Sequence, residues 1–139
     1  MVDAPRLRAL LARLESRLGQ LRMYGAMAED VYIAHPESVY ASKYLLLTAI
    51  EDALAAANHV IAAEGYRSPM DYADAFQSLA EAGRVSPQLA SALQAMARFR
   101  NLLVHGYADV DDRRVHSFLR EDLGDLQAFL KAMVAAFPE

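Results

Sequence analysis

Leu7, Leu10, Leu11, Leu14, Leu18 and Leu21 stand three and four residues apart near the start of the chain. A helix gathers all six on one face, whereas a strand would scatter them over both. The same spacing returns near the end, at Val115, Phe118, Leu119, Leu126, Phe129, Leu130, Met133 and Phe137. Nowhere between does the sequence alternate apolar and polar residues as a half-buried strand would. Arg6, Arg8, Arg13 and Arg17 fall off the leucine stripe and read as a solvated helix face. The chain is therefore expected to be all-α. Its 139 residues suit one domain, 1–139, and are enough to bury a core.

Proline and glycine punctuate the pattern. The first helix runs from about Ala4 into the thirties. Pro36 suits the first turn of a second helix that continues to Glu64, with Gly65 as its stop. In "RSPMD", Ser68 is a candidate N-cap, Pro69 the first helical position and Asp71 the end of a capping-box pattern, opening a short third helix that Gly83 ends. Ser86 and Pro87 repeat the device for a fourth helix that ends near Gly106. Asp109 to Asp112 offer caps for a last helix. The spacing predicts about five helices in all. Short connections make sequential helices mostly antiparallel neighbours.

Composition excludes several classes. With no cysteine, disulfides, thiolate metal sites and cysteine nucleophiles are ruled out, which fits a cytoplasmic protein. Arginines interrupt the first twenty residues, so they do not read as a signal peptide. Residues 44–63 have about the length of a membrane span, but Glu51 and Asp52 sit mid-segment, and an Asp there costs roughly 2.5–3.5 kcal/mol. A buried bundle helix and no membrane are expected. The net charge of −4 argues against broad nucleic-acid binding. The charge is uneven, +3 over residues 84–120 against −7 over 28–83. There is no glycine-rich phosphate loop, and no Glu-x-x-His pair of a carboxylate-bridged metal bundle.

One residue breaks the helical pattern. On a wheel of about 100° per residue with Leu93 at the origin, Leu89, Met96, Ala97, Leu103 and Val104 form an apolar stripe, and Arg100 falls about 20° from its centre. A guanidinium cannot be left dry and unpaired there. It can pair with a carboxylate such as Glu51 or Asp52, snorkel to solvent, or line a cleft or subunit interface where an anion binds. His105 lies five residues on, about 140° around the helix, so the two do not share a face. They can still combine across a two-fold axis. Arginine, histidine and the intervening Asn101 suit metal-independent RNA cleavage. Histidine moves protons near neutral pH, and arginine presents a fork to phosphate.

The segment "FRNLLVHGYADVD" resembles the Arg-x4-His-x-Tyr motif of HEPN-fold ribonucleases, specifically the HepT toxins of HepT/MntA toxin–antitoxin pairs. "AIEDALAAANHVIAAEG", "SPMDYADAFQSLAEAG" and "LQAMARFRNLLVHGY" resemble that family's second to fourth helices in order, and "VHSFLREDLGDLQAFL" its last. The likeness covers roughly residues 38–135. It implies an antiparallel HEPN-type four-helix bundle with an additional short helix. It implies Arg100 and His105 as the catalytic pair, Asn101 in support, no metal and no cofactor. It also implies a homodimer whose two motifs face each other. The substrate would be RNA, with tRNA the substrate of some relatives, cut by 2′-OH attack. Tyr107 would be the tyrosine to which a cognate MntA nucleotidyltransferase adds AMP, blocking the cleft with charge and bulk.

Other residues carry weaker expectations. Arg98, Arg113, Arg114 and His116 are candidate RNA contacts in the basic stretch. Asn58 and His59 read as packing and hydrogen-bonding residues, and His35 as a helix-start residue. Tyr24, Tyr32, Tyr40, Tyr44 and Tyr66 read as core or interface aromatics. Two rival readings stay open. One is a non-catalytic HEPN adaptor that binds a nucleotidyltransferase or nucleotide, and the other a plain structural bundle.

Overall fold

The computed structural model describes residues 1–106 and 110–138; Tyr107, to which the modification was assigned, lies outside the described residues. Among those described there are seven helices and no strand: α1 (Ala4–Gly25), α2 (Glu29–Ile33), α3 (Pro36–Glu64), α4 (Tyr72–Glu81), α5 (Pro87–His105), α6 (Asp112–Glu121) and α7 (Leu123–Ala136). The all-α bundle is as the spacing predicts. The count exceeds five because the first and last helices each break in two.

Both breaks have local causes. A Cβ at Gly25 would stand 2.6 Å from the Leu119 carbonyl oxygen, so only glycine lets α1 end against the α6 backbone. The chain then turns and restarts as α2. The second break is at Asp122, seven residues after Val115, where the apolar register calls for a core side chain. A carboxylate cannot be buried there unpaired. The chain steps at Asp122 and Leu123 is buried instead.

α1 and α3 form the most extensive helix pair. All six α1 leucines of the stripe are buried against the bundle. α3 starts on Pro36 and stops at Gly65, whose φ of 70° is left-handed. It is long and apolar enough to match a membrane span. In the bundle, however, it buries Lys43 and Asp52 in ion pairs: Lys43 Nζ lies 2.8 Å from Asp112, and Asp52 pairs with Arg17 of α1.

The segment between α3 and α4 differs from expectation. Asp71, not Ser68, is the N-cap, accepting from the Asp74 N–H at 2.8 Å, and α4 starts at Tyr72. The cause is Arg67. Its guanidinium donates to Asp74 (2.7 and 2.9 Å) and to Glu81 (2.8 and 3.1 Å), while Ser78 donates to the Arg67 carbonyl at 2.6 Å. Asp74 also accepts from the Met70 N–H. These bonds fold residues 66–71 back along α4, so α4 begins beside the middle of α3. The Arg67 bonds, and then the Met70 N–H, hold the Asp74 carboxyl down at about 2; Glu81 is lowered by the same arginine.

α5 begins as read, with the Ser86 hydroxyl accepting from the Leu89 N–H at 3.1 Å. It runs antiparallel to α3. Arg84, just before it, faces Glu64 at the end of α3, whereas Arg100 reaches Glu51 further back. α6 is capped by Asp111.

Candidate functional site

The apolar stripe of α5 is covered only part of the way. Ala90, Leu93, Met96 and Ala97 are buried. Leu103, one turn beyond Phe99, is buried as well, but past Tyr72, which packs on Arg100, the described residues leave the rest of the stripe uncovered. Val104, at the stripe centre by its spacing, is exposed, as is Leu102. Only the flank toward α6 stays closed, where Phe99 stacks on Phe118 with ring centres 5.1 Å apart. Arg100 therefore sits where a core stripe becomes an open surface.

Of the three fates open to Arg100, the structure chooses a carboxylate pair that is itself half in solvent. Arg100 Nη2 donates to Glu51 Oε2 at 2.7 Å, and Nη1 donates to Asn101 Oδ1 at 3.1 Å. Its side chain retains 15% of its exposure against 44% for Glu51. The guanidinium carbon lies 4.9 Å from the centre of the Tyr72 ring, a cation–π contact. Arg100 Nε is buried and has no hydrogen-bond partner among the described residues. Asp52, the other carboxylate weighed for Arg100, is taken by Arg17, with Arg13 at 3.5 Å.

His105 is the last residue of α5, exposed, with Gly106 closing the helix by an N–H bond of 2.8 Å to the Leu102 carbonyl. Arg98, Asn101, Leu102 and His105 follow the i, i+3, i+4, i+7 rule, and all four are exposed. They form one outward face. Arg100 and Val104 form the next. Within one chain, Arg100 and His105 thus diverge as the wheel predicts, and the Arg100–Asn101 hydrogen bond ties the two faces together.

The remaining candidates scatter. Arg113 is exposed and pairs with Glu29 of α2 at 3.2 Å. Arg114 lies with its guanidinium 5.1 Å from the Phe99 ring centre, on the α6 side of α5. His116 corrects the expectation of an RNA contact: it is fully buried. It hydrogen-bonds the Met27 carbonyl at 2.8 Å and packs against the Tyr32 ring, 4.8 Å between centres. Its spacing from Leu119 puts it on the core face of α6. Tyr32 is core, and donates to or accepts from Ser42 at 2.6 Å. Tyr40 and Tyr44 are exposed on α3. Spacings of eleven and seven residues align them with Glu51. Asn58 bonds the Leu54 carbonyl, His59 accepts from the Asp3 N–H, and His35 stands at the N-cap position of α3 with its ring on the Val31 carbonyl rather than on the helix N-terminus.

A family profile described as "Ribonuclease HepT-like" matches residues 14–133. The chain belongs to the HepT-like ribonuclease family. Solved structures agree in fold. A tri-AMPylated HEPN toxin from Shewanella oneidensis, in complex with an MNT antitoxin, superposes with a TM-score of 0.86 at 19% identity, covering 97% of this chain and 99% of that one. A toxin–antitoxin complex called MntA–HpeT, carrying a tyrosine-to-alanine substitution, gives 0.83 at 18% identity, covering 93% and 98%. YutE, a cytosolic Bacillus subtilis protein of unknown function, gives 0.81 at 20% identity, covering 97% and 90%. No curated protein matches in sequence. In this HepT-like chain the motif residues Arg100, Asn101 and His105 all lie at the uncovered end of α5. Sequence reasoning passed over Tyr72. An aromatic residue at the first position of a helix carries no pattern of its own, and only the Arg67-driven fold-back puts it on Arg100.

Proposed function

We propose that this chain is a cytoplasmic endoribonuclease toxin that works as a homodimer and is held in check by a cognate MntA-type nucleotidyltransferase. The observation that carries this reading is the uncovered end of α5. It presents a tethered arginine and an exposed histidine beside apolar surface at Val104 and Leu102 that no helix among the described residues covers. A second copy docked there supplies what one chain lacks, because Arg100 of one protomer can then share a phosphate with the partner's His105.

In that cleft His105 takes the proton from a ribose 2′-OH as the 2′ oxygen attacks phosphorus. The bond from phosphorus to the 5′ oxygen breaks, and His105 returns the proton to that leaving oxygen. The products are a 2′,3′-cyclic phosphate and a 5′-OH, and no metal is required. Arg100 stabilises the charge that develops on the phosphate oxygens, and Asn101 and Glu51 hold its fork in place. AMP attached to Tyr107 adds phosphate charge next to the motif and repels RNA.

The reading is supported by the family and by the fold shared with the Shewanella oneidensis toxin bound to its MNT antitoxin. It is tested by cleavage of RNA in excess chelator, wild type against Arg100→Ala and His105→Ala. Loss of cutting in both variants with unchanged thermal unfolding is expected. Cutting that persists in both overturns the assignment. A wild type that binds the nucleotidyltransferase but cuts nothing returns the adaptor reading.

A further inference from the structure

Tyr72 and Asn58 lie on two adjoining recesses beside Arg100. One, of about 230 Å³, is lined by Glu51, Leu54, Ala55, Asn58, Tyr72 and Arg100. The other, of about 320 Å³, is lined by Asn58, Pro69, Met70, Asp71 and Tyr72. Together they form a groove between α3 and the start of α4, on the side of Arg100 away from Val104. Tyr72 is half exposed although its ring already touches the guanidinium, so aromatic surface remains open. Asn58 donates one of its two amide N–H groups to the Leu54 carbonyl, and its side-chain oxygen has no hydrogen-bond partner among the described residues. Met70, 89% exposed, forms an apolar lip.

We propose that this groove is a nucleobase subsite. A base of single-stranded RNA stacks on Tyr72, offers a ring-edge donor to Asn58, and sets its own phosphate on Arg100. The inference rests on the ribonuclease reading but adds to it a site, and residues, that the Arg-x4-His motif does not contain. The chemistry selects the ligand class. An open aromatic plane beside a fixed guanidinium fits a unit that joins a flat heterocycle to a phosphate, and stacking tolerates any base. Glu51 shares the Arg100 guanidinium, and its 44% exposed side chain is free to swing into solvent as the phosphate takes its place. The neighbouring apolar lip excludes water from the stack. The fold-back that presents Tyr72 depends on Arg67, so substrate binding is coupled to an ion-pair cluster outside the motif.

The test uses the intact dimer and a short 2′-O-methyl oligonucleotide, which lacks the attacking hydroxyl and cannot be cut. A 2-aminopurine in the strand reports stacking by quenching. Wild type and Tyr72→Phe are expected to bind alike and quench. Tyr72→Ala is expected to bind roughly tenfold or more weakly, and an oligonucleotide abasic at the reporter position should lose a similar factor on wild type. Thermal unfolding checks that Tyr72→Ala is folded. Equal binding by Tyr72→Ala, equal binding of the abasic strand, or no binding at all overturns the subsite. Cleavage of unmodified RNA is followed separately on wild type. Cutting with no Tyr72 dependence removes the subsite and leaves the ribonuclease. Tyr72-dependent binding without cutting keeps the subsite and removes the ribonuclease.

Discussion

Glu51 and Asp52 are adjacent on α3, and each holds an arginine. Asp52 points into the bundle with 7% of its side chain exposed and receives Arg17 from α1. Glu51 points out with 44% exposed and receives Arg100 from α5. The first pair is closed at its carboxylate: Asp52 is buried and takes both Arg17 and, at 3.5 Å, Arg13, although Arg17 keeps 25% of its side chain exposed. The second is open on one side, with a neighbouring aromatic ring, an Nε that has no partner among the described residues, and a groove. About 100° of helix rotation separates a structural ion pair from one poised for exchange with an incoming anion. The arginine stripe of the first helix, read as solvated, is thus partly structural, and the arginine read as misplaced is the one with surface to use.

The comparison predicts opposite phenotypes. Arg100→Ala should lower the RNA cleavage rate by about 10²–10³, the scale of losing a charge-stabilising donor, with little change in unfolding temperature. Arg17→Ala should do the reverse. It strands a buried carboxylate and should cost about 3 kcal/mol in urea unfolding, the low end for a broken buried pair because Arg13 is near, while the folded fraction cuts normally. If Arg17→Ala impairs cleavage without destabilising, the division between the two pairs fails.

Glu51→Gln keeps an acceptor for Arg100 but removes the charge that holds the fork. A loss of about tenfold in kcat with stability unchanged is expected, less than for Arg100→Ala. An unaltered kcat would make Glu51 a bystander. The exposed Arg67–Asp74–Glu81 cluster offers a milder test by pH. The folded Asp74 carboxyl, held at about 2, lies below its unfolded value, so it contributes stability above the ordinary carboxylate range and loses it as pH falls toward 2. Asp74→Asn should lower the unfolding temperature at pH 7, and the difference should shrink as pH falls toward 2. Smallest of all, partial desolvation, with Asp125 and Glu121 nearby, raises the Asp122 carboxyl. Raised in the fold, it costs stability once pH rises above the folded value and nothing below the unfolded one. Asp122→Asn should therefore stabilise slightly at pH 7 and not at about pH 3.

Much of the fold was legible because the signals are local. Pro36, Gly65, Ser86 and Gly106 bound α3 and α5 where the sequence puts them. The missed breaks depend on contacts distant in sequence: Gly25 meets Leu119, and Asp122 reveals itself only as a carboxylate in a core register. At the candidate site, the divergence of Arg100 from His105 was legible from their spacing. The openness of the site was not, since that depends on α4 starting at Tyr72, which the bonds from Arg67 to Asp74 and Glu81 set. His116 was misjudged from its basic neighbours, although its spacing from Leu119 already placed it inward.

The central claim is that Arg100 and His105 act together only across two chains. Co-expressing Arg100→Ala and His105→Ala protomers with different tags, and purifying the mixed dimer, tests this directly. Each parent homodimer should be inactive. The mixed dimer keeps one intact Arg100 facing one intact His105, and should recover about half of the wild-type cleavage rate. A mixed dimer as inactive as its parents would contradict the account.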